Sequence, residues 1–421
     1  MAANIQNDLA VNVPDDLTAI AAAANRLTTA WAGHIGHGED QNAAAQSTVF
    51  SGAGLWPLLG LLALGADGPC RTELAGAYGL DPARGGSAAR GFINLFDQAP
   101  ALRAALGLWY RDGLAILDSW LDELPPATRG RLTGDLEADT ARLDAWADEH
   151  TDGLIKKMPV VLTPETTLVL ASAILVTTAW QDEFTEFTHH PQAGPWAGRG
   201  LPALTRSTSP DTVRLVDGGP GTGPVTTSVV EGGDDIDVLL FLGEPQVTAD
   251  LVLSVGLASL GAPAADRPAK TAAEILADAS ATGRSPGPGM TVQTVKSASP
   301  APTATLTAPR FTIEAQHNLL ASAELFGLSA ASDSNTARFP GMSPQALYVS
   351  SARQNAMAEF SATGFKAAAI TTIAMARSMA MRADRHEARR LDVVYDRPFG
   401  FAAVHRPTGL IIVVGWVADL S

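Results

Sequence analysis

The chain has 421 residues, of which 46% are hydrophobic and 17% charged, and its formal net charge is −15. This composition supplies a large core and is unlike that of a disordered protein. The excess of acidic residues disfavours binding of nucleic acid through a basic face. With a single cysteine, Cys70, no internal disulfide can form.

The N-terminus and the longest apolar runs bear on location. Residues 1–8 lack the basic start and apolar centre of a secretion signal. No uncharged apolar run reaches about 18 residues, the length that a membrane span needs. We therefore expect a cytoplasmic protein that does not act at a membrane, while an extracellular location stays open.

Helices are predicted in the first part of the chain. Asp15 begins a helix whose apolar residues recur at spacings of three and four as far as Trp31. Residues 53–65 are apolar all round, which is typical of a helix buried on every side. Further helices are predicted near residues 71–78, 87–98, 114–123 and 139–150.

Strands dominate the later part. The aliphatic run 168–176 is typical of a strand covered on both faces, and short β-rich runs between residues 204 and 242 predict antiparallel hairpins. Residues 283–305 are rich in Pro, Ser, Gly and Ala and predict a surface loop. A strand at residues 311–313, a helix at residues 319–326 and two or three closing strands complete an α+β fold.

A segment of small side chains lies near the C-terminus, and an arginine follows it thirteen residues after its first glycine. Small side chains can enter an interior that is already packed. The small residues are Gly364, Ala367, Ala368, Ala369 and Thr371, and the whole segment also includes Phe365, Lys366 and Ile370. The arginine is Arg377, which is followed by Ser378.

Five parts of the chain, in order, resemble the serpin family of serine protease inhibitors, as a divergent member of the prokaryotic type. Residues 49–65 resemble its first short strand and buried helix, and residues 143–155 its Trp-(x)4-Thr-x-Gly-x-Ile helix end. Residues 170–184 resemble its central strand with the aromatic anchors Trp180 and Phe184. Residues 339–343 resemble its Phe-Ser-Gly-Met turn, and the chain from Gly364 onward resembles its hinge, reactive-centre loop and C-terminal hairpin.

The resemblance implies a fold and a mechanism. One serpin-like domain would span residues 1–421, with early helices packed on a large mixed sheet, smaller antiparallel sheets, and an exposed reactive-centre loop at about residues 363–391. The monomeric protein would inhibit a trypsin-like serine protease, which attacks the loop and is trapped as a covalent acyl complex when the loop inserts into the main sheet.

The family spacing places the bond that is cut between Arg377 and Ser378. Arginine at this position would suit an acidic specificity pocket like that of trypsin. Counting one residue further would put Ser378 itself at the critical position, and Met379 or Met381 would suit an elastase- or subtilisin-like pocket. The alternative interpretation of Arg377 is an ordinary exposed loop residue.

Side-chain alternation predicts which face of an inserted hinge would be buried. Alternate residues share a face of a strand, so Phe365 would lie on one face with Ala367, Ala369 and Thr371. Since Lys366 must face water, the Phe365 series is expected to point inward. Phe365 stands where the family has a small residue, and we expect it to overfill the packed interior at a cost of about 1–3 kcal/mol.

Other departures from the family pattern keep a second function class open. Ser51, Gly54, Ser172 and Gln354 match a polar group that the family builds beneath the main sheet from Ser, Ser, Asn and His. Ala362 replaces a preferred Glu, Gly400 replaces a bulky apolar residue, and about eight extra residues precede Pro398. The alternative to an inhibitor is therefore a non-inhibitory serpin-fold binding or carrier protein.

Nothing in the sequence predicts an enzyme. The carboxylates are scattered, and no pair is singled out for acid–base work. His189 and His190 lack further ligands at metal spacing. No catalytic residue, cofactor site or metal site is therefore predicted.

Overall fold

The structure is a computed structural model, and it describes residues 15–36, 46–151, 153, 155–261, 269–278, 283–366 and 386–420. Most of its helical residues precede residue 151, and the later part of the chain consists mainly of strands. The α+β class predicted from the sequence is therefore confirmed.

The predicted helices are present, with two differences. The segment 114–123 forms only one helical turn, and the helix predicted at residues 319–326 is wrong. A 3-10 turn, Leu319–Ser322, takes its place, since Asn318 provides no side-chain cap and three-residue turns follow. The helices are α1 (Asp15–Ala32), α2 (Gly52–Gly65), α3 (Gly68–Tyr78), α4 (Gly85–Gln98), α5 (Asp118–Leu121), α6 (Leu136–His150), α7 (Ala249–Gly261), α8 (Ala272–Ala277) and α9 (Ser329–Ser332).

The strands form three sheets. They are β1 (Thr48–Phe50), β2 (Leu102–Arg111), β3 (Arg129–Leu132), β4 (Leu168–Ala179), β5 (Thr185–His189), β6 (Leu201–Thr208), β7 (Val213–Asp217), β8 (Pro224–Glu231), β9 (Ile236–Leu242), β10 (Ala269–Thr271), β11 (Met290–Ser297), β12 (Thr303–Pro309), β13 (Phe311–Asn318), β14 (Val349–Phe360), β15 (Gly364–Lys366), β16 (His386–Val394), β17 (Phe399–His405) and β18 (Leu410–Val417).

Strand order differs among the three sheets. The six-stranded sheet is mixed and runs β13-β14-β15-β4-β2-β3, with an additional parallel pairing of β14 with β4. The seven-stranded sheet runs β1-β18-β17-β9-β8-β7-β10, and all its pairings are antiparallel. The five-stranded sheet runs β11-β16-β12-β6-β5 and contains one parallel pair, β12 with β16.

Two segments predicted as loop are strands in the structure. Residues 283–305 contain β11 and the start of β12, because Met290 and Val292 are buried while Thr291 and Gln293 are exposed. The residues rich in Pro, Gly and Ser flank β11, at 283–289 and at 298–302. The bounds predicted for the reactive-centre loop, 363–391, are wrong at both ends, because residues 364–366 form β15 and residues 386–391 belong to β16. Strand β16 begins at His386 because Ala388 and Leu391 are buried.

Helix α2 lies behind the six-stranded sheet. It packs against β2 and β4 of that sheet and against β18 of the seven-stranded sheet, and every residue of it except Leu64 is buried. Trp56 donates a hydrogen bond from its indole nitrogen to the carbonyl of Tyr78, 2.7 Å away. The predicted all-apolar helix is thus confirmed, since a helix between two sheets needs an apolar surface on every side.

Helix α6 covers the opposite face of the six-stranded sheet. Leu143 and Ala147 pack with Trp109 of β2 and with Ala171 and Ala173 of β4. Its end is capped as the sequence predicts: the Thr151 hydroxyl donates to Ala147 O at 2.7 Å and accepts from Ile155 N at 3.0 Å.

The buried carboxylate of Asp139 holds the beginning of α6. It accepts hydrogen bonds from the backbone and hydroxyl of Thr133 at 2.9 and 3.0 Å and from Gly134 N at 2.9 Å. Burial alone would raise the pKa of Asp139, but these hydrogen bonds and nearby Arg142 lower the pKa below its ordinary value.

Candidate functional site

The beginning of the small-residue segment already lies within the six-stranded sheet. Gly364, Phe365 and Lys366 form β15, which pairs antiparallel with β4 in the register Gly364 with Ala179 to Lys366 with Thr177. Its other edge pairs with β14, Phe360 with Phe365 and Glu359 with Lys366. Beyond β15, β14 and β4 pair directly with each other from Val349 to Ala356. The sheet therefore contains the first three residues of a strand that could be extended between β14 and β4.

The turn between β14 and β15 is tied to the end of β4. The backbone nitrogen of Trp180 donates to Thr363 O at 3.0 Å, and that of Phe184 donates to Ala362 O at 2.9 Å. The Trp180 indole donates to Ser361 O at 2.9 Å. The rings of Trp180 and Phe184 both lie against Phe360, with centroids 5.1 and 5.6 Å away. The two aromatic residues predicted as anchors therefore hold the turn that starts β15.

Phe365 is accommodated and does not overfill the interior. Its side chain is 1% exposed, and its ring meets the edge of Phe401 at 5.9 Å. Phe401 lies against Gly415, where an added Cβ would come within 2.4 Å of the Phe401 ring. The expected packing penalty at Phe365 is wrong for the structure in which β15 lies in the sheet, because Phe365 is part of the core there.

Gly364 allows the close approach of β15 to β4. A Cβ at this position would lie 2.3 Å from the carbonyl oxygen of Thr178, a distance that no side chain can tolerate. Gly400 has a similar role in the seven-stranded sheet, since a Cβ there would lie 2.5 Å from Leu253 of α7. Glycine therefore stands where two backbones or a backbone and a helix must touch.

The four polar positions singled out in the sequence meet beneath the six-stranded sheet. The Gln354 side chain on β14 accepts from Ser51 N at 2.7 Å and donates to Ser51 O at 2.8 Å. The same amide nitrogen lies 3.4 Å from the hydroxyl of Ser172 on β4. The Ser51 hydroxyl donates to Ile412 O and accepts from Gly54 N. This cluster joins β14, β4 and the start of α2.

Gly54 completes the cluster by leaving space. A Cβ at Gly54 would lie 2.7 Å from the Ser172 hydroxyl and 2.6 Å from Ile174. A serine in its place would push β4 away from α2. The absence of a hydroxyl at this position is therefore a packing requirement of this chain.

His317 was not singled out by the sequence, although it lies beside this cluster. It is the β13 register partner of Gln354, and its ring nitrogen Nε2 lies 2.8 Å from Val49 O. The ring meets Trp31 edge-on at 5.1 Å. An isolated histidine in an alternating strand carries no sequence signal, so only the sheet pairing could identify it.

The far end of the predicted loop is held in the five-stranded sheet. Strand β16 lies between β11, which pairs with it antiparallel from His386 to Val393, and β12, which pairs with it parallel from Arg390 to Val394. The Arg389 side chain donates to the carbonyls of Leu276 and Asp278. The Arg390 guanidinium donates two hydrogen bonds to the Asp392 carboxylate, at 2.6 and 3.0 Å. Neither arginine is therefore a freely exposed cleavage position.

The remaining predicted site residues, from Ala367 to Thr371 and the pair Arg377 and Ser378, lie outside the described residues. Among the residues that the structure does describe, no group of three or more His, Cys, Asp or Glu side chains could hold a metal ion. In the same ranges, no helix has the length and apolar character needed to cross a membrane.

Comparison with protein families identifies related sequences. The family described as "Serpin (serine protease inhibitor)" matches residues 30–193 and 288–420. Plasminogen activator inhibitor 1 of Neovison vison is 33% identical over 115 residues, which are 27% of this chain and 26% of that protein. The Sus scrofa protein of the same name is 30% identical over 115 residues, with the same coverage. The matched part thus spans about a quarter of the length of these relatives.

Comparison with solved structures identifies the same fold. Native protease nexin-1 with heparin has a TM-score of 0.71 at 18% identity, covering 96% of this chain and 100% of the other. Mouse protein-Z dependent protease inhibitor has a TM-score of 0.71 at 12% identity, covering 96% and 99%. Human thyroxine-binding globulin has a TM-score of 0.70 at 15% identity, covering 96% and 100%. At these identities the likeness concerns the fold alone.

Proposed function

Because this chain belongs to the serpin family of serine protease inhibitors, we propose that it traps a serine protease by offering its loop as a substrate. The loop then inserts into the six-stranded sheet between β14 and β4. The observation that carries the proposal is the position of β15, whose three residues pair with β4 while Phe365 and Lys366 also pair with β14. An inserting segment needs only to continue a ladder that has begun.

The registers of β15 predict where the next residues would lie. Continued along β4, they set Ala367 opposite Val176, Ala369 opposite Ile174 and Thr371 opposite Ser172. Continued along β14, they set Thr371 opposite Gln354. Because side chains alternate, these residues would share the inward face of Phe365. Small side chains are needed there, since Ile174 and Ala356 are already buried in the core.

The polar cluster is where insertion would meet its main obstacle. The contact between the Gln354 amide and the Ser172 hydroxyl crosses from β14 to β4, so it must break when a strand comes between them. Thr371 would arrive at this level with a hydroxyl that can both donate and accept. We propose that this hydroxyl replaces the broken contact, so that no buried polar group is left unpaired.

The chemical step follows from the proposed bait role. The protease serine oxygen attacks the carbonyl carbon of Arg377, and the bond from that carbon to the nitrogen of Ser378 breaks. The proton of the serine hydroxyl passes through the protease histidine to the leaving amine, and Arg377 remains as an ester on the protease. Loop insertion before water attacks this ester would trap the protease, with release of stored strain as the driving force.

Arg377 is the residue that we propose enters the specificity pocket, and a protease with a trypsin-like acidic pocket is the proposed target. The position of β16 supports this choice over the arginines closer to the C-terminus, because Arg389 and Arg390 are bound within the sheet region. Met379 and Met381 are the alternatives for other pocket types.

Incubation with a trypsin-like protease tests the proposal. We expect a covalent complex that survives SDS, and mass spectrometry should find a released fragment that begins at Ser378. Arg377→Ala should lose the complex with trypsin while melting at the same temperature as the parent. Cleavage mainly after Arg382 or Arg385 would overturn the Arg377 assignment. Cleavage with neither a complex nor a change in melting temperature would favour the non-inhibitory binding or carrier protein.

The domain organisation, oligomeric state and location of the protein are further parts of the proposal. We propose that residues 1–421 act as one domain and that the protein is a monomer, which size-exclusion chromatography with light scattering would test. Cytoplasmic residence stays a prediction from the sequence, and fractionation of producing cells would test it.

A further inference from the structure

Strand β11 holds the first residues of β16 by itself. His386, Glu387, Ala388 and Arg389 pair with Ser297, Lys296, Val295 and Thr294 of β11. Pairing with β12 starts only at Arg390. Without β11, the paired part of β16 would therefore begin four residues later, and those four residues would lengthen the loop by about 13 Å of extended chain.

The length of the loop makes these four residues important. Between Lys366 and His386 lie nineteen residues. Continued down β4 to the level of Leu168, the register of β15 uses residues 367–375, a strand of about 30 Å. The ten residues left, 376–385, span at most about 33–36 Å. They must return along the same sheet and also cross to β16.

We propose that β11 is a retaining strand, which keeps the uncut loop too short to insert fully and so makes insertion depend on cleavage. After a cut, the part of the loop that follows β15 no longer has to return to β16, and its length sets no limit. Before a cut, full insertion requires residues 386–389 to leave β11. This inference rests on the proposed function, because it concerns the same loop.

The contacts of β16 indicate how firmly it is retained. Ala388, Leu391 and Val393 are buried in the sheet, and the Arg389 guanidinium is bound to Asp278 O at 2.6 Å as well as to Leu276 O. The hydrogen-bonded pairs of β11 and β16 can be assigned, since Val394 N donates to Gly289 O at 2.9 Å. By alternation, Val295 and Ala388 form a bonded pair, whereas Val292 N and Lys296 N point away from β16.

Two proline substitutions on β11 form a matched test. Val295→Pro removes an N–H that faces Ala388, whereas Lys296→Pro removes one that points away from β16 and takes no part in the pairing of the two strands. Both uncut proteins would be stored below their melting temperatures and then melted, and intact mass would show that no bond was cut. We expect Val295→Pro to convert to a more heat-stable uncut form about tenfold faster than Lys296→Pro and the parent. Conversion of both variants at the same measurable rate would overturn the proposal.

Hydrogen exchange of the unchanged protein supplies a second measurement, which does not depend on whether Val295→Pro folds. The amide of Ala388 should exchange as slowly as that of Val393, which β12 also holds. Exchange of Ala388 as fast as at a frayed strand end would refute retention by β11.

Neither measurement needs a protease, so failure of the proposed function is recognised separately. If no variant converts although cutting the loop raises the melting temperature, the retention proposal is wrong while loop insertion stands. If no variant converts and cutting also changes nothing, loop insertion has failed. Ala388 exchange then decides whether β11 retains β16.

Discussion

At the hinge end of the loop, β15 adds three residues to the six-stranded sheet, whereas at the far end β16 adds nine residues to the five-stranded sheet. The hinge end depends on one large buried side chain, Phe365, and on backbone pairing with β4 and β14. The far end pairs with β11 from His386 and with β12 from Arg390, and it has three buried side chains and a bound guanidinium. We therefore expect the loop to move at the hinge end, where few contacts must change.

The largest effect on protease trapping is expected from a charged side chain in the hinge segment. Ala369→Glu should abolish trapping, because the continued register sets residue 369 at the level of Ile174 and Ala356, where an unpaired carboxylate would be buried at a cost of several kcal/mol. The measurement is the number of inhibitor molecules consumed per protease trapped, which should rise at least about tenfold. Ala367→Arg should act in the same way.

Ala368→Glu is the matched control, since it would lie on the other face beside half-buried Met357. It should reduce trapping less, and the uncut forms of all three variants should melt close to the parent. Efficient trapping by Ala369→Glu would mean that the loop does not insert.

The next effect is the change in melting temperature when the loop is cut. Cutting the loop should raise the melting temperature, because the inserted residues would form ladders with both β4 and β14 in place of the single ladder that joins these strands. At about 0.5–1.5 kcal/mol per net hydrogen bond, the rise should be roughly 10–40 °C. Thermal melts of uncut and cut protein would measure it, and an unchanged midpoint would contradict insertion.

A smaller effect concerns the side chain that seats the hinge. Phe365→Thr should destabilise the uncut protein by about 2–4 kcal/mol, because it leaves a cavity beside Phe401. The sequence predicts that Phe365 overfills the packed interior, and on that basis a smaller residue here would help insertion and improve inhibition. Denaturant melts would measure the loss, and Phe365→Leu, which fills most of the space, should lose less than about 1.5 kcal/mol. A fully stable Phe365→Thr protein that traps better than the parent would restore the earlier interpretation.

The smallest effect concerns α6, which packs on β2 and β4 of the six-stranded sheet. The folded-state pKa of Asp139 is lowered, so its contribution to stability is present above the unfolded pKa of about 4. It is lost as pH falls through the folded-state pKa. Asp139→Asn should therefore melt a few degrees below the parent at neutral pH, because an amide nitrogen would face Gly134 N. The difference between the two melting temperatures should become smaller below about pH 4. A difference in melting temperature that stays constant down to acid pH would show that the charge of Asp139 does not stabilise the fold.

The order of elements and the segment around Gly364 could be predicted from the sequence because each carries its own local signal. The all-apolar residues of α2 predict burial without knowledge of any partner. Thr151 and Ile155 predict a helix end that is stabilised by bonds within the segment. Trp180, Phe184 and the polar set from Ser51 to Gln354 could be named from spacing and resemblance.

Strand β11 and the first residues of β16 could not be predicted, because their stability comes from partners far away in the chain. Residues 290–297 have an alternating pattern too short to stand out among prolines and serines, and they become a strand by pairing with residues 386–393. The short helix predicted after Asn318 fails for the converse reason, since local propensity cannot show that a chain segment lacks a cap.

The fold class and the small-residue segment follow from the amino-acid sequence, because composition and periodicity are properties of neighbouring residues, and the family resemblance follows from matched motifs. Three features required the packed sheets: Phe365 is part of the core, Gly54 must lack a side chain, and β11 pairs with the start of β16. Each of these depends on the space and the hydrogen-bonding groups left by residues distant in sequence. Such space is set only when the sheets pack against one another.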